Sequence, residues 1–152
     1  MSAAAVPPFP RLAIVMPDEG ERLLALGDHL RLLVTGADTN GAFTLIEQAS
    51  PAGTAVPRHY HTQEFEMFHV LEGTVRYTVN GEVIEAGAGT TISIPPGVVH
   101  SFEFVTDART HITCVPAGIE DMFQELASLP LGPINFQNVT SICAKYGVHF
   151  VA

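Results

Sequence analysis

A chain of 152 residues is long enough to bury one core, and 47% hydrophobic against 15% charged residues argues against a disordered segment. The net charge of −9 does not supply the basic surface that phosphate backbones require, so no nucleic-acid partner is expected. No apolar run approaches the ~20 residues that cross a bilayer, and Cys114 and Cys143 form neither a CxxC pair nor a disulfide framework. A reducing, cytoplasmic setting without membrane contact is the expectation, with both cysteines as small buried residues.

In chain order, Met1 to Pro10 is small and proline-rich. It lacks a positive charge ahead of an apolar run, so it reads as an extended arm rather than a signal peptide. Arg11 to Met16 is apolar enough for a strand, and Asp18-Glu19-Gly20 turns after it. Strands are expected at His29 to Thr35 and Ala42 to Glu47, separated by the turn-forming run Gly36 to Gly41. From Gly53 one short strand follows each turn: Glu66 to Leu71, Thr74 to Val79, Glu82 to Glu85, Thr90 to Ile94, Val98 to Val105 and Thr110 to Val115. Asn80-Gly81 is the strongest hairpin signal, because both centres of a type I′ turn need positive φ. Short antiparallel strands at near-regular spacing predict an all-β sandwich or barrel.

The period changes after Pro116. Ile119, Met122, Phe123, Leu126 and Leu129 follow helical spacing up to Pro130. Val139, Ile142, Cys143 and Tyr146 repeat it on a second short helix that Gly147 ends, and Val148 to Val151 suits a terminal strand. The helices are expected to cover one side of the barrel or to lie at a subunit contact. Neither a repeat nor a second domain is visible, so residues 1–152 read as one domain, with a core barrel at about 29–115 and a helical tail at 117–152.

The chemistry concentrates between Gly53 and Gly73. His59 and His61 stand two apart, so on a strand both aim at one face. A turn near Thr62 to Glu64 returns Glu66 on the neighbouring strand, and His100 follows the rigid turn Pro95-Pro96-Gly97. Imidazoles and a carboxylate converging in this way suit one divalent transition metal.

Two spacings carry a family resemblance. Gly53, five residues, His59, one residue, His61, four residues, Glu66, six residues, Gly73 is the first; Gly89, five residues, Pro95, one residue, Gly97, two residues, His100 is the second. Together they resemble the two cupin motifs, over roughly a third of the chain. The resemblance implies a cupin double-stranded β-helix, a jelly-roll barrel, with a C-terminal pair of short helices. It also implies a metal held by His59, His61, Glu66 and His100. Thr90 and Phe104 depart from the common pattern, at positions that are not ligands. The stretches Leu32 to Phe43 and Pro116 to Phe123 further resemble single-domain cupins of the quercetin 2,3-dioxygenase-like kind.

What that resemblance implies is a metal-dependent dioxygenase opening a small aromatic or enolisable substrate such as a flavonol or a polyketide-like molecule. Glu66 would act as catalytic base as well as ligand. Fe, Ni, Mn, Co, Cu and Zn all suit the ligands. A non-oxidative metal enzyme (isomerase, cyclase or decarboxylase) and a small-molecule-binding module without catalysis are the alternatives. Pairing of exposed barrel edges predicts a homodimer. Among other residues, Glu64 stands two before Glu66 and could reach the same face, but it breaks the motif spacing and reads as an exposed loop carboxylate, while His69 and Tyr60 should face away from the site. Phe65, Met67, Phe68 and Phe104 could supply an apolar surround, with Phe102 and His111 near the pocket; His29 and His149 have no role.

Overall fold

The computed structural model describes residues 10–152, so all of the N-terminal arm except Pro10 lies outside the described residues. Eleven strands and three short helices follow one another. They are β1 (Glu21–Ala25), β2 (Asp28–Val34), α1 (Gly36–Thr39), β3 (Thr44–Ser50), β4 (Ala55–His61), β5 (Phe65–Glu72), β6 (Val75–Val79) and β7 (Glu82–Ala86). Then come β8 (Thr91–Ile94), β9 (His100–Phe104), β10 (Ala108–Val115), α2 (Ile119–Ala127), α3 (Phe136–Lys145) and β11 (Val148–Phe150). The strands form two antiparallel sheets, ordered β1-β2-β3-β10-β5-β8 and β11-β4-β9-β6-β7. The chain crosses from sheet to sheet, so the architecture is the expected jelly-roll barrel.

Alternation builds the interior. In β10 every second residue, Ala108, Thr110, Ile112 and Cys114, is buried, and β5 buries Glu66, Phe68 and Val70 in the same way. Phe68, Tyr77 and Phe102 pack at ring distances of 5.0, 5.8 and 6.1 Å. Each buried side chain of this size contributes about 2 to 3 kcal/mol by the area removed from water, so this aromatic cluster helps hold the two sheets together.

The turns are held by specific residues. Gly73, with φ +80°, follows β5, and a Cβ there would stand 2.2 Å from the Asp107 carbonyl oxygen, so only glycine fits. Asn80-Gly81 turns β6 into β7 with φ of 51° and 85°, as the sequence predicts. Phe104 fixes its strand end through the backbone: its carbonyl accepts from Gly53 N–H at 2.8 Å, and its own N–H donates to the Thr54 carbonyl at 2.8 Å.

The barrel starts earlier than expected. β1 pairs with β2 through a hairpin whose turn is Leu26-Gly27, at φ of 54° and 84°. Arg11 to Met16, read as a strand, has no ladder partner among the described residues. It is tied down near its two ends. Arg11 N–H donates to the Asp38 carbonyl at 2.9 Å, and Arg31 Nη1 donates to the Met16 and Glu19 carbonyls at 3.1 and 3.0 Å. The run Gly36 to Gly41 contains one helical turn, with Asn40 as its left-handed end at φ 53°.

The helical tail covers one end of the barrel. α2 packs against β1, α3 packs against α2 and β11, and β11 pairs with β4. Gly147, at the end of α3, has its carbonyl bonded to Thr62 N–H at 2.8 Å. A Cβ at Gly147 would fall 2.3 Å from Thr62 Oγ1, so the tail closes tightly on the turn that follows His61. Among the described residues no helix is long and apolar enough to cross a membrane.

Candidate metal centre

Four side chains meet between the sheets. β4 turns His59 and His61 inward, β5 brings Glu66 alongside, and β9 begins with His100 directly opposite His59. All four are buried, and one ligand atom from each can be chosen so that all lie within 4.8 Å of one another. His61 Nε2 lies 3.1 Å from Glu66 Oε2, and His100 Nε2 lies 3.3 Å from Glu66 Oε1. The second motif is tied to the first by a bond from Gly97 N–H to the His61 carbonyl, 2.8 Å long.

The outer ring nitrogens are already engaged. His59 Nδ1 is 2.8 Å from the Pro57 carbonyl, His100 Nδ1 is 2.9 Å from the Val98 carbonyl, and His61 Nδ1 is 3.3 Å from Glu64 Oε2. These acceptors favour the tautomer with hydrogen on Nδ1, which leaves the Nε2 lone pair free to ligate. His61 Nε2 is buried; Glu66 Oε2 lies 3.1 Å away but forms no hydrogen bond with it, so among the described residues this nitrogen has no hydrogen-bond partner. An orphaned buried nitrogen is costly unless something else binds it, so the residues present fit a cation at this point.

The electrostatics agree. Burial, reinforced by the nearby His100, pushes the His59 imidazole down to about 4, so at neutral pH it offers a lone pair. Burial works in the same direction on His61, but the charges of Glu66 and Glu64 outweigh it and raise that ring. Burial alone would raise Glu66; His61 and His100 reverse this and hold its carboxyl down at about 2. The cluster therefore carries an ionised carboxylate among imidazoles. The set could hold one divalent transition metal, and its nitrogen and oxygen donors suit several such ions.

His59, His61 and Glu66 line an interior cavity of about 290 Å³. Phe68, Phe102 and Ile112 of the barrel form part of its wall, while Met122, Leu126 and Val139 of the tail form its roof. Of the two places expected for the helices, the barrel side is the one observed.

Several single-residue expectations need correction. Glu64 is not an exposed loop carboxylate: it is 4% exposed and bound to His61. The tight turn between β4 and β5 folds it back, which spacing from the motif does not reveal. His111 lies on the outer face beside Glu47, at 3.3 Å, because its neighbours Thr110 and Ile112 occupy the inward positions. Phe65 is 47% exposed and Met67 half-buried, out of phase with Glu66 and Phe68. Phe68, Phe102 and Phe104 are inside; the first two reach the cavity. His69 faces out and bonds Thr91 at 2.7 Å, and Tyr60 lies against His149 with ring centroids 5.4 Å apart. Both cysteines are buried and free.

Asp28 and Gln48 are cavity residues that sequence reasoning missed. Their only signal was polar side chains on strands that are otherwise apolar inside. Tyr77 was missed too: it is fully buried and its hydroxyl has no partner among the described residues. Burial, then the charges of Glu66 and Asp28, raise its pKa, which puts the hydroxyl within the field of both carboxylates.

A double-stranded β-helix with a buried three-histidine, one-glutamate cluster defines a class of barrel, and its comparisons agree with the geometry. Residues 46–116 match the family described as "Cupin domain". The chain is a cupin, and its sequence is quercetinase-like. It is 31% identical over 110 residues to quercetin 2,3-dioxygenase of Bacillus subtilis, covering 71% of this chain and 32% of that protein. The chain thus spans about a third of that relative's length. Among solved structures, KdgF from Halomonas sp. superposes with a TM-score of 0.64 at 15% identity, over 72% of this chain and 99% of that one. An RmlC-like cupin from Shewanella frigidimarina gives 0.62 at 20% identity, over 70% and 92%. At these identities the two structures speak for the fold alone.

Proposed function

We propose that this cupin is a metal-dependent dioxygenase that opens a small aromatic or enolisable substrate. One observation carries the reading: four buried side chains that could ligate a metal converge, and three of them line a mainly apolar cavity. The sequence likeness to a quercetin dioxygenase favours oxygen chemistry within that frame. A bound Fe, Ni, Mn, Co, Cu or Zn ion would supply Lewis acidity and, where redox-active, a route for electrons to O2.

The chain's own residues then have distinct tasks. His59, His61, Glu66 and His100 hold the ion, and Glu64 and the Pro57 and Val98 carbonyls aim the three rings. Glu66 accepts the proton from the substrate's enolic or phenolic hydroxyl, so the O–H bond breaks and its electron pair stays on the substrate oxygen. The electron-rich anion is what O2 oxidises. Both oxygen atoms enter the products as the ring opens, and one ring carbon leaves as carbon monoxide. Met122, Leu126 and Val139 in the roof keep water from the anion.

Oxygen uptake tests the reading. Protein reconstituted with each candidate metal is given flavonols and smaller enols in an oxygen electrode cell. Stoichiometric O2 consumption with wild type, absent in a His59→Ala, His61→Ala variant, is the expected result. Turnover that is unchanged without O2 would assign the site to Lewis-acid chemistry instead.

The protein is also proposed to work in the cytoplasm as a homodimer. Free buried cysteines suit a reducing compartment. Along Arg11 to Met16 the alternate residues Ala13 and Val15 are half-buried, while Leu12 and Ile14 are 86% and 71% exposed. A tethered, extended segment that is apolar on both faces is suited to pairing with a second copy. Light scattering should give twice the chain mass for wild type and a monomer for Leu12→Ser, Ile14→Ser. A monomeric wild type removes the dimer.

A further inference from the structure

At one end of the cavity, away from the histidines, lies a second polar cluster. Thr110 Oγ1 donates to Gln48 Oε1 at 2.8 Å, Gln48 Nε2 donates to Asp28 Oδ2 at 2.6 Å, and Ser50 Oγ donates to Asp28 Oδ1 at 2.6 Å. Asp28 and Gln48 line the cavity. Apart from the weakly polar thiol of Cys143, these two and the ligand cluster are the only polar side chains among the described residues that line it. In the sheet, Gln48 sits opposite Thr110, while Glu66 sits opposite Cys114. β3 and β5 flank β10, so the two poles lie two strands apart and are offset by four residues along β10. The space between them is apolar, walled by Phe68, Phe102 and Ile112.

We propose that Asp28, held by Gln48 and Ser50, is a specificity residue that accepts a hydrogen bond from a hydroxyl on the far end of the substrate. The preferred substrate is accordingly a flat molecule with a metal-binding enol at one end and a phenolic hydroxyl at the other. This rests on the enol-binding role proposed above for the histidine cluster. Each carboxylate oxygen of Asp28 takes one bond from the protein and retains capacity for a second. Burial raises the Asp28 carboxyl against the opposing bonds from Ser50 and Gln48, so a further donor would relieve a desolvated acceptor. Size narrows the class. A cavity of about 290 Å³ lies at the lower end of the roughly 300–1,000 Å³ range of small-molecule pockets, which suits a compact ligand.

The test uses two-ring probes that differ only at the far end, 3-hydroxychromone and 3,7-dihydroxychromone. They are titrated by calorimetry into protein loaded with zinc, a redox-inert ion that leaves the probes unconsumed. A hydrogen bond to a charged acceptor predicts that wild type binds the dihydroxy probe about tenfold or more tightly over the other. Asp28→Asn should reduce that ratio at least threefold. Equal affinities in wild type, a measurement that needs no variant, overturn the proposal and leave the enol-binding reading intact. A ratio retained in Asp28→Asn overturns it as well. Failure of both probes to bind overturns it together with the enol-binding reading.

Discussion

His59 and His100 are direct cross-strand partners on β4 and β9, with ring centroids 4.3 Å apart. Burial, and then the disfavoured approach of a positive charge to a neighbouring imidazole this close, push His59 down to about 4. A cation with free coordination sites would turn the crowding into binding. Wild-type protein should therefore carry near one equivalent of metal, and the His59→Ala, His61→Ala variant close to none, by elemental analysis. Free metal at 100 times its Kd adds about 2.7 kcal/mol. For a chain of this size that is a rise in Tm of roughly 5–11 °C. The same metal should leave the variant's Tm unmoved.

Glu64 supplies a second, subtler test. Its carboxylate holds His61 Nδ1 at 3.3 Å, whereas the other two rings rest on backbone carbonyls that substitution cannot remove. Replacing such an outer partner typically lowers metal affinity about 10–100-fold. Glu64→Leu is expected to show that loss in a competition titration with a chelator, while the metal-free protein keeps its circular dichroism spectrum. Unchanged affinity would mean that packing alone orients His61.

Much of the barrel was legible because β-strand alternation and turn residues are local signals. Asn80-Gly81, the motif glycines and the alternating inward residues of β5 and β10 all lie where the pattern puts them. The β1–β2 hairpin escaped because Leu26 occupies its turn at φ 54°, a conformation that leucine's type does not announce. His59 and His61 could be singled out from spacing, since strand geometry converts i, i+2 into one face, and Glu66 and His100 joined them through the turns before them and the motif resemblance. Glu64, Asp28 and Gln48 could not. Their roles depend on which side chain a turn folds back on, or on which strands become neighbours across 62 residues, as in the Thr110–Gln48 bond.

Tyr77 tests whether a buried hydroxyl is structural. It packs against Phe68 at 5.0 Å, is fully buried, and its oxygen has no partner among the described residues. An unpaired buried hydroxyl costs about 1–3 kcal/mol relative to one left in water. Tyr77→Phe keeps the ring and removes that cost, so urea denaturation should show unchanged or higher stability, by up to about 1 kcal/mol after packing adjusts. A clear loss of stability would reveal a partner bound to the hydroxyl in solution.

The tail's attachment to the barrel should be sensitive to acid through one residue, Glu120. Near the start of α2 and only 7% exposed, it accepts from Gly36 N–H at 2.7 Å, from Gly118 N–H at 2.8 Å and from Thr44 Oγ1 at 2.5 Å. It thus satisfies free N–H groups at the starts of two helices and joins both to β3. Burial would raise its carboxyl, but the bonds from Thr44 and these backbone groups outweigh burial and hold it below the usual 4.5. A folded value below the unfolded one means that its contribution is complete above about 4.5 and fades as pH falls through the folded value. Glu120→Gln offers one acceptor oxygen where three donors converge. It should cost about 1–3 kcal/mol at pH 7. Its deficit relative to wild type should shrink steadily below pH 4.5. Thermal melts of both proteins from pH 7 to pH 3 measure this, and a deficit that stays constant with pH would show that the charge of Glu120 contributes nothing to holding the tail.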